Sequence, residues 1–62
     1  MSAEHEVKTK SGKYYYIEES GGKYYVRKPG DFFRHSVGTA NSMTNALALV
    51  ENDAGSKVTS VS

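Results

Sequence analysis

A Ser-Gly-Gly turn set between two tyrosine-rich runs constrains this 62-residue chain more than any other feature. The stretch reads Lys13-Tyr14-Tyr15-Tyr16-Ile17-Glu18-Glu19-Ser20-Gly21-Gly22-Lys23-Tyr24-Tyr25-Val26-Arg27-Lys28. Aromatic and β-branched residues on both sides favour strand, and paired glycines supply the positive φ that a tight hairpin needs. All the tyrosines of the chain lie between Tyr14 and Tyr25. A strand sends successive side chains to opposite faces, so this hairpin must place tyrosine on both faces of its sheet. One helix can cover only one of them.

The rest of the chain supplies that helix and little more. Glu6 to Lys10 alternates weakly and reads as a short edge strand, with residues 1–6 disordered before it. Pro29-Gly30-Asp31 is a second turn, with proline pre-set near φ −65°. Phe32 to Val37 reads as a third clear strand and Gly38 to Asn41 as a connector. The period then changes. Met43, Ala46, Leu47, Val50 and Ala54 fall at helical spacing, Ser42 or Asn41 can cap the first N–H groups, and Gly55 suits the left-handed position that ends a helix. Leu49 sits off this stripe. Lys57 to Val61 is β-branched enough for a short last strand. The sequence therefore predicts one α+β domain over residues 1–62: a three- to four-stranded antiparallel meander packed on one C-terminal helix, with a short final strand after it.

The aliphatic residues nominate the covered face. Ile17 shares a face with Tyr15, Val26 with Tyr24, and Val37 with Phe33, so Tyr15, Ile17, Tyr24, Val26, Phe33 and Val37 are the expected core set. The opposite set is Tyr14, Tyr16, Tyr25, Arg27, Phe32 and Arg34. This assignment assumes no bulge, since one extra residue swaps the faces along the rest of a strand.

Length and composition narrow the function. A domain this small has one modest core, with a stability of ~3–5 kcal/mol. With no cysteine it has neither disulfide nor thiolate metal site. The start, Met1-Ser2-Ala3-Glu4-His5-Glu6, lacks the basic and apolar regions of a signal peptide, and no apolar run approaches the ~20 residues of a membrane span. A cytoplasmic protein without a membrane partner is the expectation. Net charge is only +1, but it is unevenly spread. Lys8, Lys10, Lys13, Lys23, Arg27, Lys28 and Arg34 outnumber Glu18, Glu19 and Asp31 in the sheet region. The ends hold Lys57 against Glu4, Glu6, Glu51 and Asp53. Lysines on exposed strands also guard sheet edges without any ligand.

Catalytic constellations are missing from the pattern. His5 and His35 lie in different segments, and neither has a ligand-spaced neighbour. Glu18 and Glu19 are adjacent on a strand, point to opposite faces and cannot cooperate as acid and base. Ser20-Gly21-Gly22-Lys23 lacks the spacing and the following helix of a phosphate loop, and no Gly-x-Ser-x-Gly elbow occurs. The expectation is a non-enzymatic domain with no cofactor and no metal. What remains is the aromatic and basic face of Tyr14, Tyr16, Tyr25, Arg27, Phe32 and Arg34. Tyrosine and arginine are enriched at protein interfaces, so a protein partner, or a second copy in a homodimer, is the leading expectation. Rings that stack on bases and arginines that meet phosphate make DNA or RNA the alternative. Cross-strand aromatic pairs that merely stiffen a small sheet are the plain structural explanation.

In Lys13-Tyr14-Tyr15-Tyr16-Ile17, Gly22-Lys23-Tyr24-Tyr25-Val26-Arg27 and Ala40-Asn41-Ser42-Met43-Thr44-Asn45-Ala46-Leu47 the chain resembles the YegP-like family of small proteins. That repeat runs from an aromatic strand to an aromatic-basic strand, a third strand, a serine-rich connector and a short helix, and here it spans about three quarters of the chain. The resemblance implies a poorly characterised function and, for single-repeat members, association into homodimers. The layout is also similar to DNA-reading domains that pack a three-stranded sheet on one helix, a likeness of architecture that does not carry function.

Overall fold

The computed structural model describes residues 2–62, with secondary structure assigned from Ser2 onward. Strands β1 (Ser2–Thr9), β2 (Tyr14–Ser20), β3 (Lys23–Lys28) and β4 (His35–Ala40) lead into helix α1 (Met43–Ala54) and a last strand β5 (Val58–Val61). They form one five-stranded sheet in the order β4-β3-β2-β1-β5, and every pairing in it is antiparallel. This is the α+β meander with a C-terminal helix and short final strand that the sequence predicts.

The hairpin closes through Gly21 and Gly22, both at positive φ (58° and 77°). Ser20 pairs directly with Lys23, so the loop has two residues whose left-handed backbone matches the twist of the strands. The helix begins where Ser42, in extended conformation, accepts a hydrogen bond from the Asn45 N–H on its side chain. It ends at Gly55, whose left-handed backbone turns its N–H onto the Glu51 carbonyl. Both caps fall where the sequence placed them.

Val7, Tyr15, Ile17 and Val26 from the sheet, Ala40 at the end of β4, and Ala46 and Val50 from α1 form the buried core. Tyr24, Val37, Met43, Leu47, Leu49, Ala54 and Val58 pack against it half-buried. Burying an aliphatic side chain contributes about 1.5–3 kcal/mol, so these few residues carry most of the driving force of so small a domain.

Three expectations need correction. β1 is longer than Glu6 to Lys10. Residues 2–5, expected to be disordered, form its first half, and it lies inside the sheet between β2 and β5 rather than at an edge. The cause is β5. After the helix the chain returns to pair with the far side of β1, placing Val7 opposite Val61 and joining Glu6 and Ser62 through backbone hydrogen bonds. Second, β4 starts three residues later than expected, at His35, and runs to Ala40, taking in Gly38, Thr39 and Ala40 that were expected as connector. Phe32 and Phe33 therefore lie in the loop between β3 and β4, at 91% and 80% exposure, and Phe33 is not a core residue. β3 ends at Lys28, which pairs with His35, and Pro29 after it has no N–H to continue a ladder, so residues 32–34 have no strand opposite them. Farther along, β4 runs close under α1: a Cβ at Gly38 would sit 3.2 Å from Leu49. Third, β4 carries a bulge. Gly38 pairs with Val26 but Ser36 pairs with Arg27, leaving Val37 as the extra residue.

Candidate partner-binding face

β2 and β3 each turn their odd and even residues to opposite sides, and the register sets which meet. On the side away from α1, Glu6, Tyr16, Arg27 and Ser36 form one cross-strand row; Glu4, Glu18, Tyr25 and Thr39 form the next. Lys8 lies opposite Tyr14. Of the residues nominated from sequence, Tyr14, Tyr16, Tyr25 and Arg27 thus share this open face directly.

Arg34 reaches the same face from the loop after β3. Its guanidinium carbon lies 3.6 Å from the centre of the Tyr16 ring, and its terminal nitrogen pairs with Glu4 on β1. The loop that delivers it is tight. An added Cβ at Gly30 would run into the Phe33 carbonyl and the His35 ring, so the chain needs glycine there for close approach rather than for positive φ. Phe32 is brought only to the neighbourhood, on the loop beside Arg34. His35 does not join Asp31 in any hydrogen bond or ion pair among the described residues; its ring faces Gly30 instead.

Each tyrosine ring of the face carries a cation; Tyr14 is exposed, and Tyr16 and Tyr25 are half-buried. Besides Arg34 on Tyr16, Lys8 sits 5.0 Å above Tyr14 and Arg27 lies 5.8 Å from the Tyr25 ring. Such contacts contribute about 0.5–1 kcal/mol at exposed sites. Arg27 also pairs with Glu18 at 3.0 Å. Among the described residues no element covers this face, and Tyr14 remains 43% exposed.

The carboxylates Glu4, Glu6 and Glu18 and the cation Lys8 belong to this face and were not nominated from sequence. Three of the four stand on β1. Their signal was present as alternation: Glu4, Glu6 and Lys8 interleave with His5, Val7 and Thr9, and Val7 and Thr9 are buried.

A second polar cluster lies on the helix side. The Tyr15 hydroxyl donates to the Asp53 carboxylate at 2.7 Å, and the Lys28 ammonium donates to the same group at 3.1 Å. A cavity of about 350 Å³ opens beside them, bordered by Lys13, Tyr14 and Pro29. Burial, together with the bond to Asp53 and its charge, pushes the Tyr15 phenol up to about 12. The hydrogen bonds from Tyr15 and then Lys28 hold Asp53 below the usual carboxylate range. Burial first, and the charge of Glu19 next, raise the Tyr24 phenol. The cluster ties the last turn of α1 to β2 and β3. Among the described residues no group of three or more metal-ligating side chains is gathered, and no helix is long and apolar enough to cross a membrane.

No protein-family model, no curated protein and no solved structure matches the chain.

Proposed function

We propose that this is a non-enzymatic binding domain that uses its open sheet face to associate with a second copy of itself. The observation that carries the reading is the cluster of Tyr14, exposed, with Tyr16 and Tyr25, half-buried, on an uncovered face, each ring capped by a cation, with Phe32 and Phe33 exposed on the loop after β3. A small monomer seldom leaves that much aromatic surface wet.

The charge layout favours a copy of the same face. On this face β1 carries Glu4 and Glu6 with Lys8 near its end, β2 carries Tyr14, Tyr16 and Glu18, and β3 carries Lys23 and Arg27 on either side of Tyr25. A two-fold axis running along β2 in the plane of contact lays β1 of one copy over β3 of the other. It then sets carboxylates against cations twice, as an isologous interface requires. The resemblance to the YegP-like family, with its expected homodimers, points the same way.

Nucleic acid fits this face less well. Three carboxylates share it, and both arginines are already paired with two of them. Phosphate would meet those carboxylates as like charges, whereas a second copy brings cations to them.

The test is mass in solution. The native chain should sediment as a dimer at micromolar concentration, and Tyr16→Ser with Tyr25→Ser should sediment as a monomer that keeps its helical circular dichroism. A native monomer that instead binds short DNA or RNA more tightly as salt falls establishes the nucleic-acid reading. A native monomer that captures neither refutes the assignment of this face to self-association.

A further inference from the structure

The cavity of about 350 Å³ lies at the end of the sheet where the turn after β1, the end of β3 and the last turn of α1 meet. Tyr14, Tyr15 and Pro29 give it an apolar, flat-sided body, while Lys13, Lys28 and Asp53 give it charge. Of its lining residues only Tyr14 also belongs to the open face, so the cavity is a separate feature of the molecule.

Local bonds hold its rim in place. Gly12, at φ 88°, closes the turn. The Gly12 N–H donates to the Thr9 carbonyl, the Lys13 N–H to the Thr9 hydroxyl, and the Thr9 N–H to the Lys13 carbonyl. Thr9 is buried, and the Ser11 N–H reaches the Ser56 hydroxyl beyond the helix. Lys13 therefore stands on a fixed backbone. On the other side Asp53 is anchored by the Tyr15 hydroxyl and holds the Lys28 ammonium at 3.1 Å.

The charges of this end do not balance. Lys28 and Asp53 answer each other, but among the described residues Lys13 has no ion-pair partner. Its ammonium is close by: after the hydrogen bonds of Tyr15 and Lys28, the charge of Lys13 also holds the Asp53 carboxyl low. Lys10 and Lys57, joined through their backbones at the same end of the sheet, add positive charge, and the Glu51 carboxylate is taken by the Val58 N–H. An ammonium has three N–H donors, so Lys28 keeps capacity for a further acceptor beside Asp53.

We infer that this cavity binds a small aromatic carboxylate, its ring against Tyr14, Tyr15 and Pro29 and its carboxylate on Lys13 and Lys28. Each part of the ligand answers an observation. The volume is at the low end for small-molecule sites, so one or two rings fill it and a polymer does not. The aromatic and proline lining calls for a flat apolar body, and the surplus cation calls for one negative charge. An amine would meet both lysines as like charges, and Asp53 is already held by two donors. A bare phosphate would leave the apolar lining unfilled.

A nuclear magnetic resonance titration of the full chain at constant salt tests this with phenylpropionate, phenylpropionamide, phenylpropylamine and inorganic phosphate. Phenylpropionate should shift the amides of Gly12 to Tyr15, Lys28 and Asp53, with a Kd of about 1 mM or tighter. The other three should each bind at least about tenfold more weakly. Lys13→Gln should weaken phenylpropionate by about fivefold or more with the rest of the spectrum unchanged, and Lys13→Arg should retain it. No shift of these amides at about 10 mM phenylpropionate overturns the proposal, as does undiminished binding to Lys13→Gln. So does equal binding of phenylpropionamide, which leaves an apolar cleft that does not read charge. Tighter binding of the amine makes Asp53 the anchor, equal binding of phosphate makes the site one for an adventitious ion only, and shifts confined to Tyr16 and Tyr25 move the ligand to the open face; each of these also rejects the assignment.

Discussion

Tyr15 is the residue that joins the most parts of this domain. Its ring is in the core, and its hydroxyl holds Asp53 at the end of α1. The two groups titrate in opposite senses. Asp53 has a lowered folded pKa, so its contribution is complete above the unfolded value and is lost as pH falls through the folded one. The Tyr15 phenol is raised from 10.0 to about 12, so its contribution is complete below pH 10 and is lost as pH rises toward 12. Stability should therefore show an alkaline flank. In Tyr15→Phe the core ring remains and the bond to Asp53 disappears. We expect denaturant melts at neutral pH to give a loss of about 1–2 kcal/mol, and the part of the alkaline flank due to Tyr15 to vanish. Unchanged neutral stability together with an unchanged flank would show that the bond contributes nothing.

At the scale of elements, the hairpin and the helix were legible because their signals are local. Two glycines between aromatic runs specify a turn, and Ser42 and Gly55 mark the helix ends whatever else the chain does. The sheet edges were not local. Whether β1 is an edge depends on where β5 returns, some fifty residues later. The start of β4 depends on where β3 stops, at Lys28 before Pro29, which overrode the strong strand propensity of Phe32 and Phe33. That displacement moved Phe33 out of the core and placed Arg34 in the loop, from which it still reaches Tyr16. The open face was thus read in β2 and β3 and missed on β1, where only the alternation of Glu4, Glu6 and Lys8 with Val7 and Thr9 marks it. The crowding of β4 against α1 can be measured. Gly38→Val should cost about 1–3 kcal/mol by overpacking against Leu49. Adding Leu49→Ala should recover part of the loss, so the two effects should not add in a double-mutant cycle. Additive losses would place the cost of Gly38→Val elsewhere.

For the whole molecule, the question is what a domain with so small a core gains from its uncovered face. Among the described residues its buried set is seven hydrophobic side chains, and any partner that binds only the folded state adds to its stability by mass action. A dimer through the open face accordingly predicts a melting temperature that rises with protein concentration and falls with added salt, because the proposed contacts across β1 and β3 are ionic and rim-exposed. The orientation of the dimer has its own signature. Glu4→Lys with Glu6→Lys makes β1 basic, and Lys23→Glu with Arg27→Glu makes β3 acidic. In a dimer that lays β1 over β3, each variant alone places like charges in contact on both sides of the axis and should sediment as a monomer. Mixed in equal amounts, the two variants set basic β1 over acidic β3 at one side of the axis and the native pair, acidic β1 over basic β3, at the other. The mixture should therefore regain a dimer of unlike chains. Two monomers in the mixture would reject the proposed arrangement. The direction of the axis is read by mixing Glu4→Lys with Glu6→Lys and the native chain: an axis along β2 sets basic β1 over basic β3 and should weaken that mixed dimer, whereas an axis across the strands sets basic β1 on acidic β1, so a mixed dimer tighter than the native one would reject the axis along β2 even where the native chain is a dimer.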